Sequence, residues 1–178
     1  VSRTTFPRPG PSRCSWAWCS RSGGSHVVWA PWALILAALL FAPTLGIADL
    51  PTALAAIRHV GRPDFKLLID TMHVGRSGAT AADIRALDPN LIAHVQLCDA
   101  PRKPSIASYL EEAMFERLPP GDGEMPLLEI LAALPRDVAI GLEIPRRSLA
   151  LAGEGPRERM APCVAAARRL LAALDARK

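Results

Sequence analysis

Two runs decide the fold: Phe65-Lys66-Leu67-Leu68-Ile69-Asp70-Thr71-Met72-His73, and Leu91-Ile92-Ala93-His94-Val95-Gln96-Leu97-Cys98-Asp99-Ala100-Pro101-Arg102. Each is a short aliphatic stretch that stops in polar residues. The first follows the turn signal Gly61-Arg62-Pro63-Asp64 and gives way to Thr71 through Gly78, the pattern of a buried parallel strand entering a polar loop. Thr80-Ala81-Ala82-Asp83 then offers a capping-box start, with Asp83 in place of the usual Glu or Gln. It opens a short helix carrying Ile84 and Leu87, which Asp88-Pro89-Asn90 ends. Strand, loop, helix and strand make one βαβ unit. Its right-handed crossover puts both strands parallel in one sheet, so Asp70 and Gln96 are expected at the same carboxyl edge, where α/β sheets and barrels bind their ligands.

The pattern continues toward the carboxyl terminus. Leu118-Pro119-Pro120-Gly121-Asp122-Gly123-Glu124-Met125-Pro126 is a loop leading into a helix with Leu127, Leu128, Ile130, Leu131 and Leu134, and Pro126 suits its first turn. Gly121 and Gly123 read as turn formers. Val138-Ala139-Ile140-Gly141-Leu142-Glu143-Ile144-Pro145 is a third apolar run, with Glu143 near its end and a proline to stop it. A terminal helix is expected around Val164, Leu170, Leu171 and Leu174, with its arginines on solvated faces.

On Ile69-Asp70-Thr71-Met72-His73, on His94-Val95-Gln96 through Arg102, on Pro120 through Pro126 and on Leu142-Glu143-Ile144-Pro145, the chain resembles the xylose-isomerase-like sugar phosphate isomerases and epimerases. The likeness covers about Phe41 to Pro145. It implies a TIM barrel holding one divalent metal (manganese, magnesium or cobalt) between a Glu, an Asp, a His and a second Glu at successive strand ends. On that basis Asp70 and Glu143 are metal ligands and Gln96 stands at the His position, where an amide oxygen binds a hard cation more weakly than imidazole suits a transition metal. Glu143 doubles as the acid/base, while His73 and Arg102 contact a small sugar or sugar phosphate. The chemistry asks for such groups: moving a proton beside a carbonyl needs a base, and the developing enediolate needs a positive charge at its oxygens. The family's other glutamate falls at Leu40, which neither ligates nor transfers protons.

A complete (β/α) barrel takes about 250 residues, and this chain has 178. Four strand positions match the family, the earliest over Ala33 to Phe41, ahead of a helix over Asp49 to Val60. The fold expected over residues 33–178 is therefore α/β, a partial, truncated TIM barrel. Residues 1–32, crowded with Arg, Pro and Gly and without periodicity, read as an irregular segment. The alternative for residues 27–48, which carry no charge and follow several arginines, is a membrane anchor, against which Pro31 and Pro43 argue.

Half the residues are hydrophobic and the net charge is +4, which fits an α/β domain rather than a nucleic-acid binder, since no aromatics interleave with the basic residues. Cys14, Cys19, Cys98 and Cys163 lack metal-finger spacing, and reduced thiols in a cytoplasmic protein are the default. Duller readings stand beside each candidate. Asp70 and Glu143 serve equally as helix caps or surface carboxylates, His73 as a loop histidine on backbone, and Arg76 and Ser77 as a phosphate cradle or a solvated loop. His94 alternates with Val95 and is expected between sheet and helices. The competing function is a non-catalytic remnant of the family, whose open sheet edge pairs with another chain or is covered by the amino-terminal segment. A phosphoester hydrolase of the apurinic-endonuclease type is weaker, because those carry many more His, Asp and Glu ligands.

Overall fold

Asp49 caps the first helix of the computed structural model, which describes residues 49–177. That helix, α1 (Leu50–Val60), runs to Gly61, whose φ of 64° closes it, and buries Leu50, Ala53 and Ile57 at helical spacing. There follow β1 (Leu67–Asp70), α2 (Thr71–Ser77), α3 (Ala81–Arg85), a 3-10 turn at Pro89–Leu91, β2 (Ile92–Leu97), α4 (Tyr109–Phe115), α5 (Leu127–Ala133), β3 (Ala139–Leu142), α6 (Arg147–Leu151) and α7 (Pro156–Asp175). The Thr80–Asp83 capping box forms as the sequence predicts. The strand expected over Ala33–Phe41, the anchor alternative at residues 27–48 and Leu40 lie outside the described residues.

The three strands form one parallel sheet in the order β1-β2-β3. Asp70 lies opposite Gln96, and Gln96 opposite Gly141. Glu143 continues the ladder by donating its backbone N–H to the Leu97 carbonyl. Leu67, Ile69, Val95 and Leu97 are fully buried and pack against helices, forming one cluster with Ile57, Ile84 and Ile130 and another with Leu127, Leu131, Cys163 and Leu174. Side chains alternate along a strand. Asp70, His94, Gln96 and Glu143 therefore share the opposite face.

Three expectations need correction. Thr71 to Ser77 is a helix rather than a loop, because the Asp70 carboxylate accepts from the N–H groups of Met72 and His73 and supplies the missing cap. His94 does not point into the layer between sheet and helices. It shares the Gln96 face, where a Cβ on Gly141 would stand 3.0 Å from its Nε2. In α7 the buried residues are Cys163, Ala166, Ala167 and Leu174, while Val164 is exposed.

Candidate active site

Two carboxylates at the ends of β1 and β3, either side of β2 at one edge of the parallel sheet, repel and lose hydration together, so burying them demands a cation. Here that cation is Arg117. Its Nη1 lies 2.6 Å from Asp70 Oδ2 and 3.4 Å from Glu143 Oε2, and 3.3 Å from Cys98 Sγ, while its Nε donates to the Ala113 carbonyl at 2.8 Å. Its backbone is fixed as well, donating to the Pro145 carbonyl just past Glu143. The Arg117 and Asp70 side chains are 2% and 1% exposed, whereas Glu143 keeps 31% of its side chain open.

The charges shape one another. Neighbouring carboxylates hold Arg117 permanently protonated against the cost of its burial. Burial pushes the Glu143 carboxyl above the usual range; Arg117 pulls it down, and the adjacent Asp70 carboxylate raises it again, with a net upward result. Glu143 is thus a partly exposed carboxyl of raised pKa beside a fixed cation. Burial and the Asp70 charge raise the Cys98 thiol to about 12, so it stays protonated and unreactive.

Around this triad lies a supporting network. Asp70 Oδ1 caps α2, and His73 from that helix brings Nε2 to 3.6 Å from Asp70 Oδ2 and Nδ1 to the Tyr109 hydroxyl. His73 is buried, and desolvation lowers its pKa below the ordinary value despite the nearby carboxylate. Arg76 pairs with Glu112 at 2.6 Å, donates to the Pro101 carbonyl and stacks over Tyr109. Its guanidinium is thereby held within the protein, its side chain 7% exposed. Thr71 Oγ1 donates to the Cys98 carbonyl and accepts from the Cys98 N–H, locking the ends of β1 and β2 together.

Of the residues singled out from sequence, Asp70 and Glu143 converge on Arg117, His73 lies against Asp70, and Gln96 lies beside Asp70 in register. Arg102 is exposed in the loop after β2, its backbone N–H donating to Glu124. Asp99 organises that region: its carboxylate accepts from the N–H groups of Ala100, Gly121 and Met125. Sequence reasoning passed over Arg117, Thr71, Tyr109 and Glu112. The available signal was the pair of strand-end acids itself, which requires either a metal or a basic side chain.

The family's metal can be tested against this arrangement. A divalent cation between Asp70 and Glu143 would meet the Arg117 guanidinium, which is buried, hydrogen-bonded to both and tied by Nε to the Ala113 carbonyl. Gln96 offers a neutral amide that cannot offset a second positive charge. Among the described residues no three His, Cys, Asp or Glu side chains form a group that could hold a metal ion. The donor set does not fit a divalent cation while Arg117 holds this position.

Comparison with known proteins agrees with the architecture. The model of the family described as xylose isomerase-like TIM barrel matches residues 40–171. No curated protein matches. Among solved structures, the chain is similar to the IolI protein described with a binding zinc atom, at 18% identity and TM-score 0.55 over 74% of this chain and 45% of that one. It also resembles a xylose isomerase domain protein from Alicyclobacillus acidocaldarius subsp. acidocaldarius, at 24% identity and TM-score 0.48 over 67% and 44%. A fusion of a xylose isomerase-like TIM barrel with 4-hydroxyphenylpyruvate dioxygenase matches at 25% identity and TM-score 0.47 over 54% and 16%. The chain thus spans less than half the length of each of these structures.

Proposed function

The chain belongs to the xylose isomerase-like TIM barrel family, and on that premise we propose that it moves a proton next to the carbonyl of a small sugar or sugar phosphate, as an isomerase or epimerase does. The observation that carries this reading is Glu143: a partly open carboxyl of raised pKa, at the carboxyl edge of a parallel sheet, 3.4 Å from a guanidinium that cannot lose its charge.

The step balances with these residues. Glu143 as carboxylate takes the proton from the carbon beside the carbonyl. The C–H electron pair becomes a C=C bond, and the carbonyl π pair moves to oxygen, giving an enediolate. Isomerisation returns the proton from Glu143 to the former carbonyl carbon while a hydroxyl proton passes between the two oxygens. Epimerisation would need a second acid on the opposite face of the sugar. In this reading Asp70 and Gln96 keep the places the family gives to metal ligands, and Asp70 acts by holding Arg117. The manganese, magnesium or cobalt of the family is left out of this reading, because Arg117 is hydrogen-bonded to both Asp70 and Glu143. His73 positions Asp70 and Tyr109 from within the protein, and Arg102, exposed on its loop, is the proposed contact for a substrate hydroxyl or phosphate.

The cytoplasm is the proposed location, supported by Cys98 and Cys163 as free buried thiols. No helix among the described residues is long and apolar enough to cross a membrane. Self-association through a sheet edge is the partner proposed beside the small sugar substrate.

The test is to incubate the protein with a panel of free and phosphorylated aldoses and ketoses and follow new isomers by carbon-13 NMR, with Glu143→Gln in parallel. Conversion that the variant loses supports the reading. Conversion unaffected by the variant, or none across the panel by folded protein, contradicts it and favours the non-catalytic alternative.

A further inference from the structure

Arg117 uses its donors unequally. Nη1 is committed to Asp70, Glu143 and Cys98, and Nε to the Ala113 carbonyl. Nη2 makes no hydrogen bond to any described residue, although Arg117 as a whole is only 3% exposed. Nη1 and Nε hold the guanidinium in one plane between the two acids, so Nη2 is the nitrogen left to donate to an oxygen acceptor.

We infer that Arg117 is the built-in cation of this site, standing where relatives are expected to hold a divalent metal, and that its Nη2 receives the oxygen of the enediolate. The inference rests on the proton-transfer reading above and deepens it. With Nη1 and Nε committed, Nη2 alone meets one enediolate oxygen in a charge-assisted hydrogen bond. A donor already fixed before charge develops stabilises the intermediate without reorganisation. Arg117 keeps all its protons throughout, so the proton traffic belongs to Glu143 and to the sugar hydroxyls. Asp70 is a positioning residue: with Oδ1 fixed on the start of α2 and Oδ2 on Nη1, it sets the guanidinium plane relative to Glu143.

The experiment is calorimetry on chelator-treated protein with two probes: oxalate, a planar dianion that resembles an enediolate, and manganese chloride alone. The expected result is stoichiometric, salt-weakened oxalate binding without metal, no manganese binding lost in Asp70→Asn, and oxalate affinity reduced about tenfold or more in Arg117→Lys, which keeps charge but loses the fork. Manganese binding that Asp70→Asn abolishes, or oxalate binding only after metal is added, overturns the inference and leaves proton transfer in a metal-dependent form. Absence of oxalate binding in folded wild-type protein also overturns it. The wild-type titrations decide the matter even if Arg117→Lys fails to fold. Intact oxalate binding without any proton transfer to sugars would instead contradict the proposed function while sparing the role of Arg117 as the site's cation.

Discussion

Arg117 Nη1 and Asp70 Oδ2 lie 2.6 Å apart, across 47 residues of sequence and almost wholly out of solvent. Removing one partner of a buried pair strands the other charge, at a cost of about 3–5 kcal/mol. Asp70→Asn isolates that effect, because the Asn side-chain oxygen still caps α2. Urea denaturation should show a loss of about that size for Asp70→Asn and for Arg117→Met, and a double variant much less destabilised than the sum. Additive losses would mean that the two side chains do not share an interaction.

Burial holds His73 neutral, its pKa below the ordinary imidazole value of 6.5. Between its folded value and 6.5 the unfolded chain binds more protons than the folded one, so this residue's contribution to stability is complete above 6.5 and is lost as pH falls through the folded value. Glu143 acts in the opposite sense: its raised pKa means that the folded form binds more protons above pH 4.5, and stability falls as pH rises there. The His73 part is therefore read as the difference between wild type and His73→Gln. That difference should shrink on acidification below about pH 6.5. A difference constant with pH, or a His73 resonance titrating at or above 6.5 by proton NMR, would contradict the buried neutral state.

Gly123 is required by contact rather than by backbone angle. A Cβ there would lie 2.4 Å from Asp99 Oδ1 and 2.6 and 2.7 Å from the Ala100 O and N atoms. Backbone cannot yield as a flexible side chain does, so Gly123→Ala should destabilise by about 1–3 kcal/mol and loosen the Asp99 turn. Hydrogen exchange at the Gly121 and Met125 amides, which Asp99 accepts, should accelerate. Unchanged protection would show that the loop does not depend on this close approach.

Much of this fold can be read from residues that obey local rules. Aliphatic runs between turn signals mark β1, β2 and β3, the Thr80–Asp83 box marks α3, and Asp49 and Gly61 bracket α1. The convergence of Asp70 and Glu143 is likewise foreseeable, since parallel strands in one sheet deliver their ends to one edge. The α2 helix is hidden because Thr71 to Ser77 contains Gly75 and a β-branched pair, a poor helix by propensity, and only the tertiary fit of Asp70 as its cap reveals it. His94 is misplaced by burial reasoning because alternation gives two faces without saying which one the helices cover. Arg117 escapes notice for a different reason: its partners are 47 and 26 residues away, and no local pattern distinguishes a basic residue that closes an internal triad from one that solvates a surface.

The account's central claim is that Glu143 and Arg117 together move a carbon-bound proton. The most direct measurement is exchange of that proton with deuterated solvent, followed by proton NMR on the sugars that the panel identifies, in the presence of chelator and across a pH series. The account predicts exchange at the carbon beside the carbonyl, with an acid limb set by the elevated Glu143 pKa and a loss of about 10²–10⁴-fold in Glu143→Gln. Exchange that persists in the variant, or that appears only when a divalent metal is restored, would contradict it.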